Sequence, residues 1–267
     1  LPLIPDHEGA AMDLEAQNHR QIEALNQRGG RTLTIVDLIR AGTITPVMAA
    51  YAMRAIENGA SILTAAKPGG AGKTTLLAAL LHFLPPGVPI ITVARSEVIA
   101  EGLKRPPERP ACYLAHEIGS GRWFAYIWGR DVVSFLSLIQ GERRIASCLH
   151  ADTLEELREM FTGPPIHASR KLVARVGLIL FMFAGIIEGR FRHRVSTVYQ
   201  ADGKGGHRLV FRWHKEGDRF ESLLTAEDLA ALDPYQRFID RIVKEGEAEA
   251  EIVRQRVFEF YRRIPRE

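Results

Sequence analysis

The segment Lys67–Thr75, reading KPGGAGKTT, constrains this chain more than any other part of it. A short apolar run, Ser61–Ala66 (SILTAA), leads in, and a helical apolar pattern, Thr74–Leu84, leads out. Strand, glycine-rich turn and helix in that order make a phosphate-binding loop, whose usual form is G-x-x-x-x-G-K-[ST]. Gly69, Gly70 and Gly72 allow backbone N–H groups to turn inward and approach phosphate oxygens closely. The helix that follows adds the positive end of its dipole. The expected cradle is therefore Gly69, Gly70, Ala71, Gly72, Lys73, Thr74 and Thr75. Lys73 is placed to reach the β- and γ-phosphates and the Thr74 hydroxyl to ligate Mg²⁺. One departure stands out: Lys67, followed by Pro68, replaces the first glycine of the pattern. The opening turn must then be built without a positive φ at that point. The loop predicts binding of ATP with Mg²⁺.

The rest of the chain divides into two patterns. Residues 1–30 are polar and weakly patterned, a loose arm or a helix around Leu14–Asn26. Thr34 and Asp37 form a capping signal for a helix over Ile35–Arg40. Thr45-Pro46 opens another, running to Glu57 and stopped by Asn58-Gly59. Beyond the loop, Pro89–Ala94, Ala111–Ala115 and Arg144–Leu149 read as strands separated by helical patterns, notably Asp131–Gln140. Strands alternating with helices predict right-handed crossovers and a mainly parallel sheet. After about residue 175 the pattern changes. Leu178–Phe183, Phe191–Gln200 and Arg208–Trp213 read as an antiparallel meander joined by Glu188-Gly189 and Asp202–Gly206. Thr225 and Asp228 cap the first of the helices that fill residues 226–263.

The longest apolar run, Val176–Ile187, has 12 residues. A membrane-spanning helix needs about 20, so a buried strand is expected instead, with no transmembrane segment. Asp6 and Glu8, with no apolar stretch near them, argue against a secretory leader. Cys112 and Cys148 stand far apart without metal-ligand spacing, which predicts buried thiols in a reducing cytoplasm. A net charge of +3 is too mild to indicate a nucleic-acid partner.

Four stretches together resemble the secretion ATPases, the hexameric motors of type II and type IV secretion, conjugation and type IV pili. Residues 34–59 look like that family's lead-in helices, and residues 61–79 like its nucleotide loop. Residues 109–117 (RPACYLAHE) stand where its Walker B strand ends in a carboxylate, and residues 141–156 (GERRIASCLHADTLEE) look like its histidine box. The resemblance covers about residues 30–200. It implies a RecA-like α/β P-loop NTPase fold with a mainly parallel sheet, plus the C-terminal meander and helices. The implied organisation is an N-terminal arm (1–30), an ATPase domain with its meander (31–220) and C-terminal helices (221–267). The implied activity is ATP hydrolysis by a homo-hexamer, in the cytoplasm or peripheral to the inner membrane, working on a membrane platform protein. Glu117 would hold the Mg²⁺ water shell or polarise the attacking water, and His150 would read the γ-phosphate. The catalytic set expected from loop and resemblance together is Lys73, Glu117 and His150. Read without it, Glu117 is equally a solvated acid at a helix start and His150 an ordinary packed histidine. Asp152 or Thr153 reads as a helix cap.

Departures from the family pattern open other readings. Where it carries adjacent acidic residues this chain has Ala94 and Arg95, with a displaced carboxylate at Glu97. His116 precedes Glu117 in place of glycine, and Gly119 stands near where an arginine often follows. In this sequence little precedes the lead-in helices that could correspond to the family's separate N-terminal domain, so its near-absence is an expectation only. These differences favour slow or partner-dependent hydrolysis, and leave a nucleotide-binding switch or scaffold, or a small-molecule P-loop kinase, as alternatives. The basic cluster of Arg190, Arg192, His193, Arg194, His207, Arg208, Arg212 and Lys215 reads as the solvent face of a hairpin or as a contact for acidic groups. Trp123, Phe124, Tyr126 and Trp128 read as core, as a base cover or as a subunit contact.

Overall fold

The computed structural model describes residues 7–26 and 29–264. Helices α1 (His7–Glu23), α2 (Ile35–Arg40) and α3 (Pro46–Glu57) precede strand β1 (Ile62–Ala65) and helix α4 (Lys73–Leu81). The alternating part continues through β2 (Ile90–Thr92), α5 (Ser96–Lys104), β3 (Ala111–Leu114), β4 (Glu117–Ile118), β5 (Tyr126–Ile127) and α6 (Arg130–Ser137). It closes with β6 (Arg143–Leu149), α7 (Leu154–Thr162) and α8 (Arg170–Val173). The remainder is β7 (Leu178–Ile187), β8 (Arg190–Ala201), β9 (His207–His214) and β10 (Arg219–Ser222), then α9 (Ala226–Glu245) and α10 (Ala250–Arg263).

One sheet carries the strands in the order β10-β9-β8-β7-β1-β6-β3-β2, with β4 and β5 joined beyond the end of β6. The pairs β2–β3, β3–β6, β6–β1 and β1–β7 are parallel; from β7 onward the pairs are antiparallel. This is a mixed α/β fold in which β1 occupies the middle, flanked by β6 and β7 and buried along its whole length. Alternate residues of β1 and β6 serve two cores, as the two-residue side-chain period of a strand requires. Ile62, Ala146 and Cys148 join the core covered by α1 to α4, α9 and α10, whereas Leu63, Ile145 and Leu149 join the one covered by α5 to α8. The two C-terminal helices thus share a core with the lead-in helices.

Several local signals operate as the sequence predicts. The Asp37 carboxylate accepts the Thr34 N–H at 2.8 Å, Thr45 caps Met48, and Thr225 with Asp228 forms a capping box on α9. Adjacent arginines on β6 point to opposite faces, and each meets a helix C-terminus. Arg144 donates to Ile56 O at 2.6 Å, and Arg143 to Gly102 O at 2.6 Å and Arg105 O at 3.2 Å. Unpaired carbonyls and the negative end of the helix dipole favour a cation at these positions. Arg254 of α10 does the same for α4, donating to His82 O at 2.8 Å and to Leu84 O, and ion-pairs with Glu15 of α1.

Of the two readings of the segment around Leu14–Asn26, the helix is the one observed, and it is docked: Asn18, Ile22 and Leu25 are buried, and Asn18 bonds Val88 O at 3.0 Å and Ile90 N at 2.7 Å along the outer side of β2. Residues 1–6 and 27–28 of the polar arm lie outside the described residues. Two other expectations need correction. Trp123 and Phe124 are 72% and 63% exposed, not core, because the β4–β5 turn projects beyond the covered sheet. The basic cluster is not one face. Arg194 is buried and doubly bonded to Asp218 at 2.8 and 2.6 Å, Arg208 is doubly bonded to Asp228 at 2.9 Å, and His207 bonds Val176 O at 3.0 Å. Both cysteines are buried thiols, as expected.

Candidate functional site

The glycine-rich loop Lys67–Thr75, expected to bind phosphate, connects the C-terminal end of β1 to α4, at the edge where parallel sheets place their ligands. Its φ values are positive at Gly70 (77°) and Gly72 (91°), which glycine tolerates without strain. The N–H groups of Gly69, Gly70, Ala71 and Gly72 meet no backbone acceptor among the described residues. Those of Lys73, Thr74 and Thr75 open α4, where a helix leaves its first donors unpaired. Below the loop, Thr64 of β1 donates to Lys73 O at 3.0 Å and fastens the start of α4 to the sheet.

The opening turn takes positive φ at neither Lys67 nor Pro68. It is held from outside instead. The Lys67 N–H donates to Asp152 Oδ1 at 2.7 Å, its ammonium pairs with Glu156, and its carbonyl accepts from His150 Nδ1 at 2.7 Å. Contacts from the segment between β6 and α7, and from α7 itself, thus do what glycine does by its own conformation. Thr153 caps α7, accepting the Glu156 N–H, so of the two candidate caps Asp152 serves the loop.

A cavity of about 650 Å³ stands over the loop. Its lining brings together residues 69–75 with His116, Glu117, Tyr126 and His150, and adds Met182 and His193 from the β7–β8 hairpin. Lead-in residues including Leu33, Asp37, Leu38, Ala41 and Thr43 complete it. Every loop residue expected to bind phosphate, and the expected Glu117 and His150, therefore border one space. Glu97 does not; it is exposed at the start of α5, 4.0 Å from Arg95.

Inside the cavity the charged groups are mutually arranged. Lys73 is 7% exposed, with its ammonium 3.1 Å from Ala66 O and 3.4 Å from His150 Nδ1. Burial lowers its pKa, and the nearby Glu117 carboxylate opposes that shift. His150 lies between two oxygen acceptors, with Nδ1 2.7 Å from the Lys67 carbonyl and Nε2 3.3 Å from Glu117 Oε1. Burial also lowers the pKa of His116. Both its ring nitrogens are buried without a partner among the described residues, and its ring meets Phe124 edge-on at 5.4 Å. Burial pushes the Cys148 thiol up to about 11, so the sulfur 3.9 Å from Thr74 Oγ1 is a packed thiol.

With this geometry in view, the relatives are informative mainly about extent. No family model matches the chain. An uncharacterized protein of Methanocaldococcus jannaschii, MJ1287, is 26% identical, covering 69% of this chain and 77% of that one. A second from the same organism, MJ0900, is 24% identical over 86% of this chain. The chain spans only 47% of the length of that second relative. Among solved structures, the VirB11 ATPase from the Brucella suis type IV secretion system, in complex with sulphate, matches with a TM-score of 0.43. Its identity is 21%, covering 63% of this chain and 55% of that one. The Legionella pneumophila ATPase DotB matches with a TM-score of 0.40 and 10% identity, covering 86% of this chain and 67% of that one.

Met182 and His193 are among the cavity residues that were not singled out from the sequence as site residues. Met182 sits in a hydrophobic run and reads as core. His193 reads as one of several basic hairpin residues, although RFRHRV alternates and so separates it from its arginine neighbours.

Proposed function

We propose that this protein binds ATP through the Lys67–Thr75 loop and hydrolyses it, as a RecA-like P-loop motor subunit of the kind that drives secretion or pilus machines. The observation that carries the reading is the run of unpaired N–H donors from Gly69 to Gly72, set beside Lys73 in a cavity that also holds Glu117 and His150. Such donors are costly unless something accepts from them, and a triphosphate supplies the acceptors.

The loop amides and Lys73 bind and neutralise the phosphates. The Thr74 hydroxyl and the Glu117 carboxylate are oxygen donors suited to Mg²⁺ held partly by water and phosphate, and they border the same cavity. Bound there, Mg²⁺ would supply charge neutralisation of the γ-phosphoryl group. Glu117 orients the water that attacks the γ-phosphorus. His150, bonded to the Lys67 carbonyl and facing Glu117, is placed to register whether a γ-phosphate is present. Catalysis of this type is positioning and electrostatic stabilisation. A hexameric ring acting on a membrane platform protein is the assembly this reading entails. No helix among the described residues is long and apolar enough to cross a membrane.

Steady-state ATP turnover measured beside nucleotide affinity tests the reading. Turnover well above that of Lys73→Ala supports hydrolysis; turnover equal to it, with tight ATP binding, supports a switch or scaffold. One observation favours that second reading: Ala94 and Arg95 occupy the acidic-box position, and Glu97 lies outside the cavity. Solution mass with and without a non-hydrolysable ATP analogue tests the ring.

A further inference from the structure

The phosphate loop is held by two histidines that come from different parts of the sheet, one just after β6 and one on β8. His150, on the parallel side, binds Lys67 O, as described. On the antiparallel side, His193 Nε2 lies 3.1 Å from Gly70 O. A carbonyl accepts, so Nε2 carries the proton and donates. We propose that His193 is a positioning residue of the phosphate loop, setting its affinity for the phosphate chain by holding the Gly70 carbonyl outward. The inference rests on the nucleotide-binding reading above.

The argument follows from the geometry of one peptide. The bond between Gly70 and Ala71 is planar and trans, so its C=O and N–H point in opposite directions. Fixing Gly70 O on His193 turns the Ala71 N–H to the other side and keeps the carbonyl dipole from facing an anion. His150 cannot do the equivalent at Lys67, because the next residue, Pro68, has no N–H. Its bond withdraws a carbonyl; the His193 bond also directs a donor. Gly69 and Gly70 give the loop little intrinsic stiffness, and Gly70 already sits at a φ of 77°. An external donor is what selects one orientation of that peptide.

His193 itself is well anchored for this role. It pairs with Ala184 across the hairpin, and Met182 pairs with Val195 on the same face. The Phe191 ring meets the imidazole edge-on at 5.3 Å. A Cβ added at Gly72 would come within 3.2 Å of Met182 Cε and 3.6 Å of His193 Cδ2. The hairpin face is thus in contact with the loop, and His193 is the polar group on that face.

The test compares wild type, His193→Ala, His193→Gln and Lys73→Ala for binding of a fluorescent ATP analogue and its displacement by pyrophosphate, with melting temperatures measured in parallel. Losing one directing hydrogen bond should weaken both ligands about 3- to 10-fold in His193→Ala. The melting temperature should stay unchanged. Gln, which presents an N–H at a similar reach, should restore most of the affinity. Unchanged affinity in His193→Ala beside abolished binding in Lys73→Ala would overturn the inference and leave the nucleotide reading standing. A loss that Gln does not rescue and that tracks a lower melting temperature would overturn it too, as a packing effect. Failure of the wild type to bind either ligand would remove both.

Discussion

The parallel and antiparallel halves of the sheet bury positive charge in different ways. On the parallel side, Arg143 and Arg144 give their N–H groups to helix carbonyls, which never titrate. On the antiparallel side, Arg194 and Arg208 meet the carboxylates of Asp218 and Asp228. The first arrangement needs only finished helices; the second needs a deprotonated acid. The side-chain hydrogen bonds from Arg194 and Arg208 hold Asp218 and Asp228 down to about 2. Acid below the ordinary carboxylate range should therefore leave the Arg143 and Arg144 contacts intact, while it weakens the pairs of Arg194 and Arg208. The loop Lys67–Thr75 leaves β1, which pairs parallel with β6 and β7, one strand from where antiparallel pairing begins at β7–β8.

The largest effect belongs to the loop after β1. Lys73→Ala should reduce ATP affinity at least about 100-fold, as loss of a buried charge-assisted contact to phosphate implies, with the melting temperature nearly unchanged. A variant that still bound ATP tightly would detach the loop from nucleotide binding. Next comes the parallel half: Arg144→Met should cost about 2 kcal/mol by stranding the Ile56 carbonyl. That cost should be the same at pH 7 and pH 4 in denaturant titrations. Asp218→Asn should cost about 1–3 kcal/mol at pH 7 by leaving Arg194 buried without its partner. Here the sign follows from linkage: the folded-state pKa lies below the ordinary 3.8, so the stabilisation is complete above that value and fades as pH falls toward about 2. A penalty for Asp218→Asn that did not shrink on acidification would erase the contrast between the halves. Asp228→Asn should behave alike but more weakly, because Arg208 is 38% exposed. Smallest is Lys67→Ala, which removes an exposed pair with Glu156 but leaves the backbone bonds to Asp152 and His150; its melting temperature should match wild type.

Much of this arrangement was legible locally. SILTAA followed by glycines and Lys-Thr-Thr fixes β1, the loop and α4, and T-x-x-D marks the starts of α2 and α9. Glu117 and His150 could be nominated only through the resemblance of RPACYLAHE and GERRIASCLHADTLEE to a known family's motifs; that each ends an apolar run leaves its role open. What escaped has physical reasons. Strands β4 and β5 are two residues each, too short for any periodicity to register. Strand β10 (RFES) is mostly polar and owes its pairing to β9. Asn18 and His193 act on atoms 70 and 123 residues away, and no spacing rule reaches that far. The Lys67 substitution was visible as an irregularity, but its compensation by Asp152 and Glu156 required the fold.

The bonds from Asn18 to β2 have a consequence for association between molecules. An outer strand with free N–H and C=O groups invites another chain to add itself. With the Asn18 amide occupying Val88 O and the Ile90 N–H, that border is sealed against strand addition. The opposite border ends on β10, where Arg219 and Glu221 discourage stacking of like strands. Detaching α1 would convert the quiet border into an adhesive one, so loss of that helix should appear first as self-association and only later as unfolding.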